Sequence, residues 1–422
     1  IFDQYNQPEN KLTHSLISCI YEDKNLFKSF LKTFCKDFFD DISNLTILEQ
    51  TLPNNNFNNV NESDSKGLPD AIILNEDKCL VIESKVSSDL TKDQLMRHEK
   101  TVRKRGYEVF GLAILVDFKP NIKLENWKQI QWTQIYNWVY HESYHSFWAR
   151  KLEEYFRILE NKMVNTKTGP VYLKEGCITE FTGIHFDANT PYSPQEGRRQ
   201  LKLLMEILKT NKIEKSLNID ISDPGRGGIK KEGNQWDFLT FKTSEKGFTS
   251  KPHLTIGLNE RRLEADLTIP NGIKKLAKEN LKRITWEDFI KIIKQITLNY
   301  HEEFGTSKFF KPHIVIAQRR YMSQSSKAIY DSRLFLDLRT AFPDLSSKVR
   351  YMKQQEEWLK MVYNLLKNKK NANIQMQIGA RFYYYKDGLI YNKKAIDTIY
   401  KSFLATKPLI KVLFKGQLDF KN

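Results

Sequence analysis

No stretch of this sequence approaches the ~18 consecutive apolar residues that a membrane-spanning helix needs, so no spanning helix is expected. Cysteine is scarce: the chain has four (Cys19, Cys35, Cys79, Cys177), and none forms a C-x-x-C pair. That spacing excludes a zinc ribbon or a disulfide scaffold and suits a reducing cytosol. The opening Ile1-Phe2-Asp3-Gln4 lacks the basic-then-apolar pattern of a signal peptide. Phosphate-loop and dinucleotide-fingerprint glycine spacings are missing too. What the chain does have is enough apolar material for real cores, 40% of residues with 12% aromatic, which argues against wholesale disorder. At 422 residues against ~150 for a typical domain, two domains are expected.

Charge is unevenly spread. Up to Val164 there are 21 Lys+Arg and 24 Asp+Glu; the rest of the chain holds 46 and 27. The first part is near neutral and the second strongly basic. A polyanion such as DNA or RNA is the leading partner for the basic part. The plain alternative is a Lys- and Asn-rich composition with a solvated surface.

Periodicity divides the chain further. Apolar residues at threes and fours from Glu9 to Cys35 predict one or two helices. Leu45–Leu52 reads as a strand, and the Asn-rich stretch 54–66 as a loop. Ala71-Ile72-Ile73-Leu74 and Cys79-Leu80-Val81-Ile82 read as strands joined through Asn75-Glu76-Asp77 turn chemistry. Thr91 caps a helix that runs to Arg105. Val109–Val116 is a near-continuous apolar run, as expected of a strand covered on both faces. Helices follow at Trp132–Tyr140 and Phe147–Met163. This order predicts an α/β fold with a mixed sheet flanked by helices over 1–164. A Gly- and Pro-rich connector is expected over 165–194, and a second, basic α+β domain over 195–422. In that domain we expect helices at Ser193–Leu208, at Ile273–Tyr300 (a pair) and at Val349–Lys370. A closing strand-helix-strand unit ends it.

The segment that carries chemistry is Gly67–Lys85. In a strand, residues two apart share a face, so Glu83 and Lys85 point the same way. With a two-residue Glu76-Asp77 loop, paired positions sum to 153, and Asp70 falls opposite Glu83 with β-carbons about 4.5–5.5 Å apart. Two carboxylates so placed repel unless a cation lies between them. Oxygen-only ligation is what Mg²⁺ prefers, and Mn²⁺ is a workable substitute. A cation at Lys85 can orient the attacking water or stabilise charge on a phosphate. As a solvated surface hairpin the same residues would be oddly placed, since charge after four apolar residues is expensive to bury unpaired.

Pro69-Asp70, twelve residues, then Glu83-x-Lys85 resembles the PD-(D/E)XK nuclease superfamily, the restriction-endonuclease-like fold, over 1–164. The resemblance implies Asp70 and Glu83 as metal ligands, the Ser84 carbonyl facing the metal, and Lys85 as the catalytic lysine. It also implies a Glu on the first helix, matched by Glu9, and a Gln on the helix after the motif, matched by Gln94. The Gln94 match departs from the common Gln-then-Tyr spacing, because His98 stands four residues on. Structural readings weigh against each: Glu9 as a helix-start acid, Gln94 and His98 as solvated helix-face residues. Glu49, on the neighbouring strand, is an alternative ligand.

In the basic part, phosphate contacts are expected from Arg198, Arg199, Arg226, Lys230, Lys231, Arg261, Arg262, Lys282, Arg283, Arg319 and Arg320. The loop Asp223–Gly228 could approach a phosphate, but a plain turn serves as well. His253 and His313, each following a Lys-Pro, are read as positions on structural strands.

The sequence therefore predicts a Mg²⁺-dependent endonuclease acting on DNA, double-stranded by family habit. A restriction or antiviral-defence role in a bacterial cytoplasm follows by analogy, with a homodimer expected for double-strand cleavage. Two rivals stand: a nuclease gated by a ligand or partner protein at the second domain, and a non-catalytic nucleic-acid binder.

Overall fold

The computed structural model describes residues 5–36, 38–42, 44–51, 53, 68–165, 176–186, 191–226, 233–244, 247–305, 307, 309–322, 328–342, 355–367, 373–385 and 388–416. The chain forms two compact units, Ile1–Glu180 and Phe181–Asn422.

In the first unit, α1 (Pro8–Glu22) and α2 (Lys24–Phe30) lead through a π-turn at Leu31–Cys35 to β1 (Thr46–Glu49), β2 (Ala71–Leu74) and β3 (Lys78–Lys85). Then follow α3 (Lys92–Arg103), β4 (Glu108–Leu115), β5 (Trp127–Gln131), α4 (Trp132–Glu142) and α5 (Phe147–Asn165). The five strands lie in chain order in one mixed sheet. β1, β2 and β3 pair antiparallel, and β3, β4 and β5 pair parallel. The sheet is covered on both faces. Ala71, Ile73, Leu80 and Ile82 pack with α1, α4 and α5, while Ile72, Cys79 and Val81 pack with Leu95 and Val102 of α3. This explains why β3 and β4 read as apolar runs rather than alternating patterns.

The β2–β3 hairpin has the register its turn residues imply. Ala71 faces Ile82 and Leu74 faces Cys79. Asn75 closes the turn: its backbone N–H donates to the Lys78 carbonyl at 3.0 Å, and its side-chain oxygen accepts from the N–H groups of Asp77 and Lys78. Thr91 caps α3 by accepting from Gln94 N–H.

Two features of this part of the chain differ from the sequence reading. β5 went unread, because its alternation is interrupted and it runs directly into α4. The expected connector is partly packed: Ile178 is in the first core, and Phe181 and Ile184 are in the second. The Glu160 carboxylate accepts from the N–H groups of Gly176, Ile178 and Thr179, which fixes that stretch. Residues 54–67 and 166–175, with the Asn-rich loop and part of the connector, lie outside the described residues.

The second unit contains α6 (Pro194–Leu208), α7 (Asn211–Leu217), β6 (Gln235–Thr240), β7 (His253–Leu258), β8 (Arg262–Ile269), α8 (Lys275–Arg283) and α9 (Trp286–Phe304). These are followed by β9 (Phe310–Arg320), β10 (Ile329–Asp337), α10 (Gln355–Lys367), β11 (Ile374–Tyr383), α11 (Ala395–Ala405) and α12 (Lys407–Lys415). Its sheet is antiparallel, in the order β10-β9-β11-β8-β7-β6. The apolar face, including Leu263, Ala265, Leu267, Met376, Ile378 and Ile314, packs on the helices. The chain therefore closes strand-helix-helix, not strand-helix-strand. Pro408 near the start of α12 suits a first helical turn, and a short apolar run such as Leu409–Leu413 does not by itself distinguish helix from strand.

Candidate active site

The site lies where the β2–β3 hairpin meets α3. Continuing the register by one position puts Asp70 opposite Glu83. The two are tied through the main chain, because Ser84 N–H donates to Asp70 Oδ2 at 2.7 Å. Glu83 and Ser84 sit in the buried part of β3, at 1% and 0% exposure. Glu83 is therefore a buried carboxylate that follows four apolar residues, and it has to be surrounded by polar groups to exist there.

Those groups come from β3 and α3. Lys85 Nζ donates to Glu83 Oε1 at 2.7 Å, and Gln94 Nε2 donates to the same oxygen at 2.6 Å. His98, one helical turn beyond Gln94, is also buried, with Nε2 3.3 Å from Glu83 Oε2. That contact lacks hydrogen-bond geometry, so Glu83 Oε2 is a buried oxygen with no hydrogen-bond donor. Sequence reasoning treated His98 as a helix-surface residue. Its position four after Gln94, on the face shared with Leu95 and Val102, was the available signal.

Electrostatics sharpen the arrangement. Burial, then the Glu83 charge, pushes the Asp70 carboxyl up to about 7, against the pull of the Ser84 N–H. Burial depresses the Lys85 ammonium, but the Glu83 charge and hydrogen bond, with Asp70 and Glu9, outweigh it and hold Lys85 above its usual value. Lys85 is therefore a fixed positive charge at neutral pH rather than a base. The pairing of a raised Asp70 with an undonated Glu83 oxygen is the electrostatic mark of a place suited to a cation. Among the described residues no group of three or more His, Cys, Asp or Glu side chains is arranged to hold a metal. Two carboxylates suffice for Mg²⁺, which keeps several waters and takes substrate phosphate as ligand. The donor set thus fits a hard divalent ion.

The remaining expected site residues divide. Gln94 is in the site. Glu9 lies close enough to raise both Asp70 and Lys85, but its Oε1 accepts from the N–H groups of Val86, Ser87 and Ser88 and from the Ser88 hydroxyl at 2.7 Å. Burial raises the Glu9 carboxyl, and these donors outweigh it and hold it below its usual range. Glu9 thereby pins the turn after β3 to α1. Glu49 belongs elsewhere: it faces Ala71 across the β1–β2 pair, on the other side of the sheet from Asp70, and bonds His14 Nδ1 at 2.7 Å.

The expected phosphate-binding cations are scattered. Arg199 is buried and holds Glu196 through two nitrogens at 2.9 and 2.8 Å, so it is not free for a phosphate. Arg226 lies over the Trp236 ring at 4.3 Å. Arg262 bonds Glu264, and Arg320 bonds Asp331. Arg198 is half-buried, and Arg261, Lys282 and Arg283 are exposed. Arg319 bonds Gln375. Lys230 and Lys231 lie outside the described residues. His253 is buried with its Nδ1 at the Lys251 carbonyl, and His313 is buried beside Asp266.

The mixed sheet of the first unit thus carries two carboxylates and an ammonium on one hairpin. Residues 1–162, within the N-terminal unit, match the family model of the PD-(D/E)XK nuclease superfamily. No curated protein matches the chain. Among the described residues, no helix is long and apolar enough to cross a membrane.

Proposed function

We propose that the protein is a Mg²⁺-dependent endonuclease that hydrolyses DNA phosphodiester bonds. The observation that carries the reading is the buried Glu83, held by Lys85 and Gln94, facing an Asp70 whose carboxyl is raised to about 7. Asp70 and Glu83 would hold the ion, with the Ser84 carbonyl as a third oxygen. The bound ion supplies a more acidic water and charge stabilisation at the scissile phosphate.

The chain's own residues do the rest. Gln94 holds Glu83 Oε1 in a fixed direction, and Oε2, which has no hydrogen-bond donor, would be available to the ion. Lys85, kept charged by its acidic neighbours, stabilises negative charge that develops on the phosphate and orients the attacking water. Glu9 fixes the turn that follows Lys85, so that its ammonium stays near the carboxylates. DNA as substrate, double-strand cutting by a homodimer, and a place in restriction or antiviral defence rest on analogy of fold.

The test is incubation of the full chain with plasmid, linear duplex, single-stranded DNA and RNA, each with Mg²⁺ or EDTA. Cleavage of DNA in Mg²⁺, none in EDTA, and a loss of about 10²–10³-fold in Lys85→Ala are expected, the size seen when one transition-state donor is removed. Full activity of Lys85→Ala, or cutting in EDTA, contradicts the reading.

A further inference from the structure

The second unit's sheet has two unlike faces. On β8, Leu263, Ala265, Leu267 and Ile269 enter the core, while Arg262, Glu264, Asp266 and Thr268 point the other way. The registers extend that polar face across the neighbouring strands. Arg381 pairs with Glu264 on one side and Lys311 on the other; Gly379 pairs with Asp266 and His313. On β10, Asp337 pairs with His313 and Arg333 with Ala317.

The floor of this face is marked by a buried His–Asp contact. His313 Nε2 reaches Asp266 Oδ1 at 3.2 Å across the intervening strand β11, both residues nearly inaccessible. They can meet because position 379 is glycine: a Cβ there would come within 2.3 Å of Asp266 Oδ1 and 2.1 Å of the Ala265 carbonyl.

Around that floor, cations outnumber acids. Glu264 Oε1 is shared by Arg262 at 2.8 Å and Arg381 at 2.7 Å. Asp337 is shared by Lys311 at 3.3 Å and Arg339 at 2.8 Å. Each carboxylate thus positions two cations and neutralises one. Arg319 and Arg333 add two more that have no carboxylate partner among the described residues. The Phe335 ring lies among them, 4.1 Å from the Arg381 guanidinium and 5.0 Å from the Lys311 ammonium. The cations are also spread out. Lys311 and Arg319 are eight residues apart on the same side of β9, about 27 Å along the strand. One strand of B-form duplex advances about 3.4 Å per nucleotide. The span therefore matches roughly eight nucleotides and exceeds what one nucleotide covers.

We propose that the polar face of the β6–β11 sheet, opposite the apolar core, is a nucleic-acid-binding surface that takes a phosphodiester backbone along β9 and β11. Of the cations expected from the sequence, Arg319 belongs to its centre, and Lys311, Arg333 and Arg381 complete it. The inference takes its choice of polyanion from the nuclease reading, and its test does not depend on cleavage.

The experiment is fluorescence anisotropy of a labelled 20-nucleotide DNA, single-stranded and duplex, with the full chain in EDTA, so that nothing is cut. Arg319→Glu/Arg333→Glu is compared with Lys278→Glu/Lys407→Glu, an equal charge change on α8 and α12, which pack on the apolar face. Arg319→Gln/Arg333→Gln serves as the milder pair, and thermal melting checks that each variant folds. Affinity is expected to fall at least tenfold in the Glu pair on the sheet, less in the Gln pair, and least in the helix pair. The slope of log affinity against log salt should shrink by about 2 in the sheet pairs, one per lost phosphate contact. Equal losses in sheet and helix pairs would overturn the proposal, as would unchanged binding in the sheet pairs or saturable capture of mononucleotides with no binding of the 20-mers. DNA binding through this face without any cleavage in Mg²⁺ would leave the proposal standing and remove the nuclease reading instead.

Discussion

At the scale of single residues, the site is built on a charge that the fold has to accommodate. Glu83 follows four buried apolar residues, Cys79 to Ile82, on its strand, and leaving it unpaired would cost several kcal/mol. Lys85 and Gln94 cover one of its oxygens; the other has no donor. Asp70 carries the consequence as a carboxyl raised to about 7 by burial and by Glu83. The raised group keeps a proton that the unfolded chain releases near pH 4. Between about pH 4 and 7 the folded state binds more protons, so unfolding becomes easier as pH rises. The stability from this group is fully present below its unfolded value and is gone above 7. In EDTA, melting temperature should therefore fall from pH 5 to pH 8, and Asp70→Asn should flatten that slope. Added Mg²⁺ should raise the wild-type melting temperature more at pH 8 than at pH 6, because the ion competes with the proton. A pH slope identical in wild type and Asp70→Asn would refute the assignment.

At the scale of elements, the hairpin and its flanking helices position the chemistry, and they were also the most legible part of the sequence. Asn75-Glu76-Asp77 fixed the turn length, the turn fixed the register, and the register brought Asp70 opposite Glu83. What escaped was information that resides in packing. His98 looks like a surface residue in a helix rich in Lys and Arg, yet it is turned inward by the same face that carries Leu95 and Val102. Glu49 looks adjacent to the site in strand order, yet strand alternation sends it to the opposite face. The second unit's polar face was invisible for a related reason. Its cations are spread over β8, β9, β10 and β11, and only the pairing of distant strands assembles them. Glu9 gives an element-scale prediction. Its Oε1 gathers three backbone N–H groups from Val86, Ser87 and Ser88. Glu9→Ala should lower stability by about 1–3 kcal/mol, the cost of leaving such donors unmet. Hydrogen exchange at those amides should quicken, and cleavage should weaken through a less well-placed Lys85. Unchanged protection at residues 86–88 would show that α1 does not hold this turn.

At the scale of the whole molecule, the chain divides its charge as it divides its folds. The sequence up to Val164 is slightly acidic, while the rest carries 46 basic against 27 acidic residues. Binding that depends on the basic part should be strongly electrostatic. In EDTA, DNA affinity of the full chain should drop by a factor of 10 or more between 50 and 200 mM salt, in proportion to the phosphates contacted. A salt-independent affinity would mean that the basic excess is only a solvated surface. Binding and cutting can thus be separated in one chain, and the account stands or falls with the ion at Asp70 and Glu83. The direct measurement is titration calorimetry of Mn²⁺, as the Mg²⁺ substitute, into the full-length protein at pH 8, above the Asp70 value. Saturable binding is predicted in wild type and Lys85→Ala, with a tenfold or greater loss in both Asp70→Asn and Glu83→Gln. Equal affinity in all four proteins, or no binding in any, would contradict it.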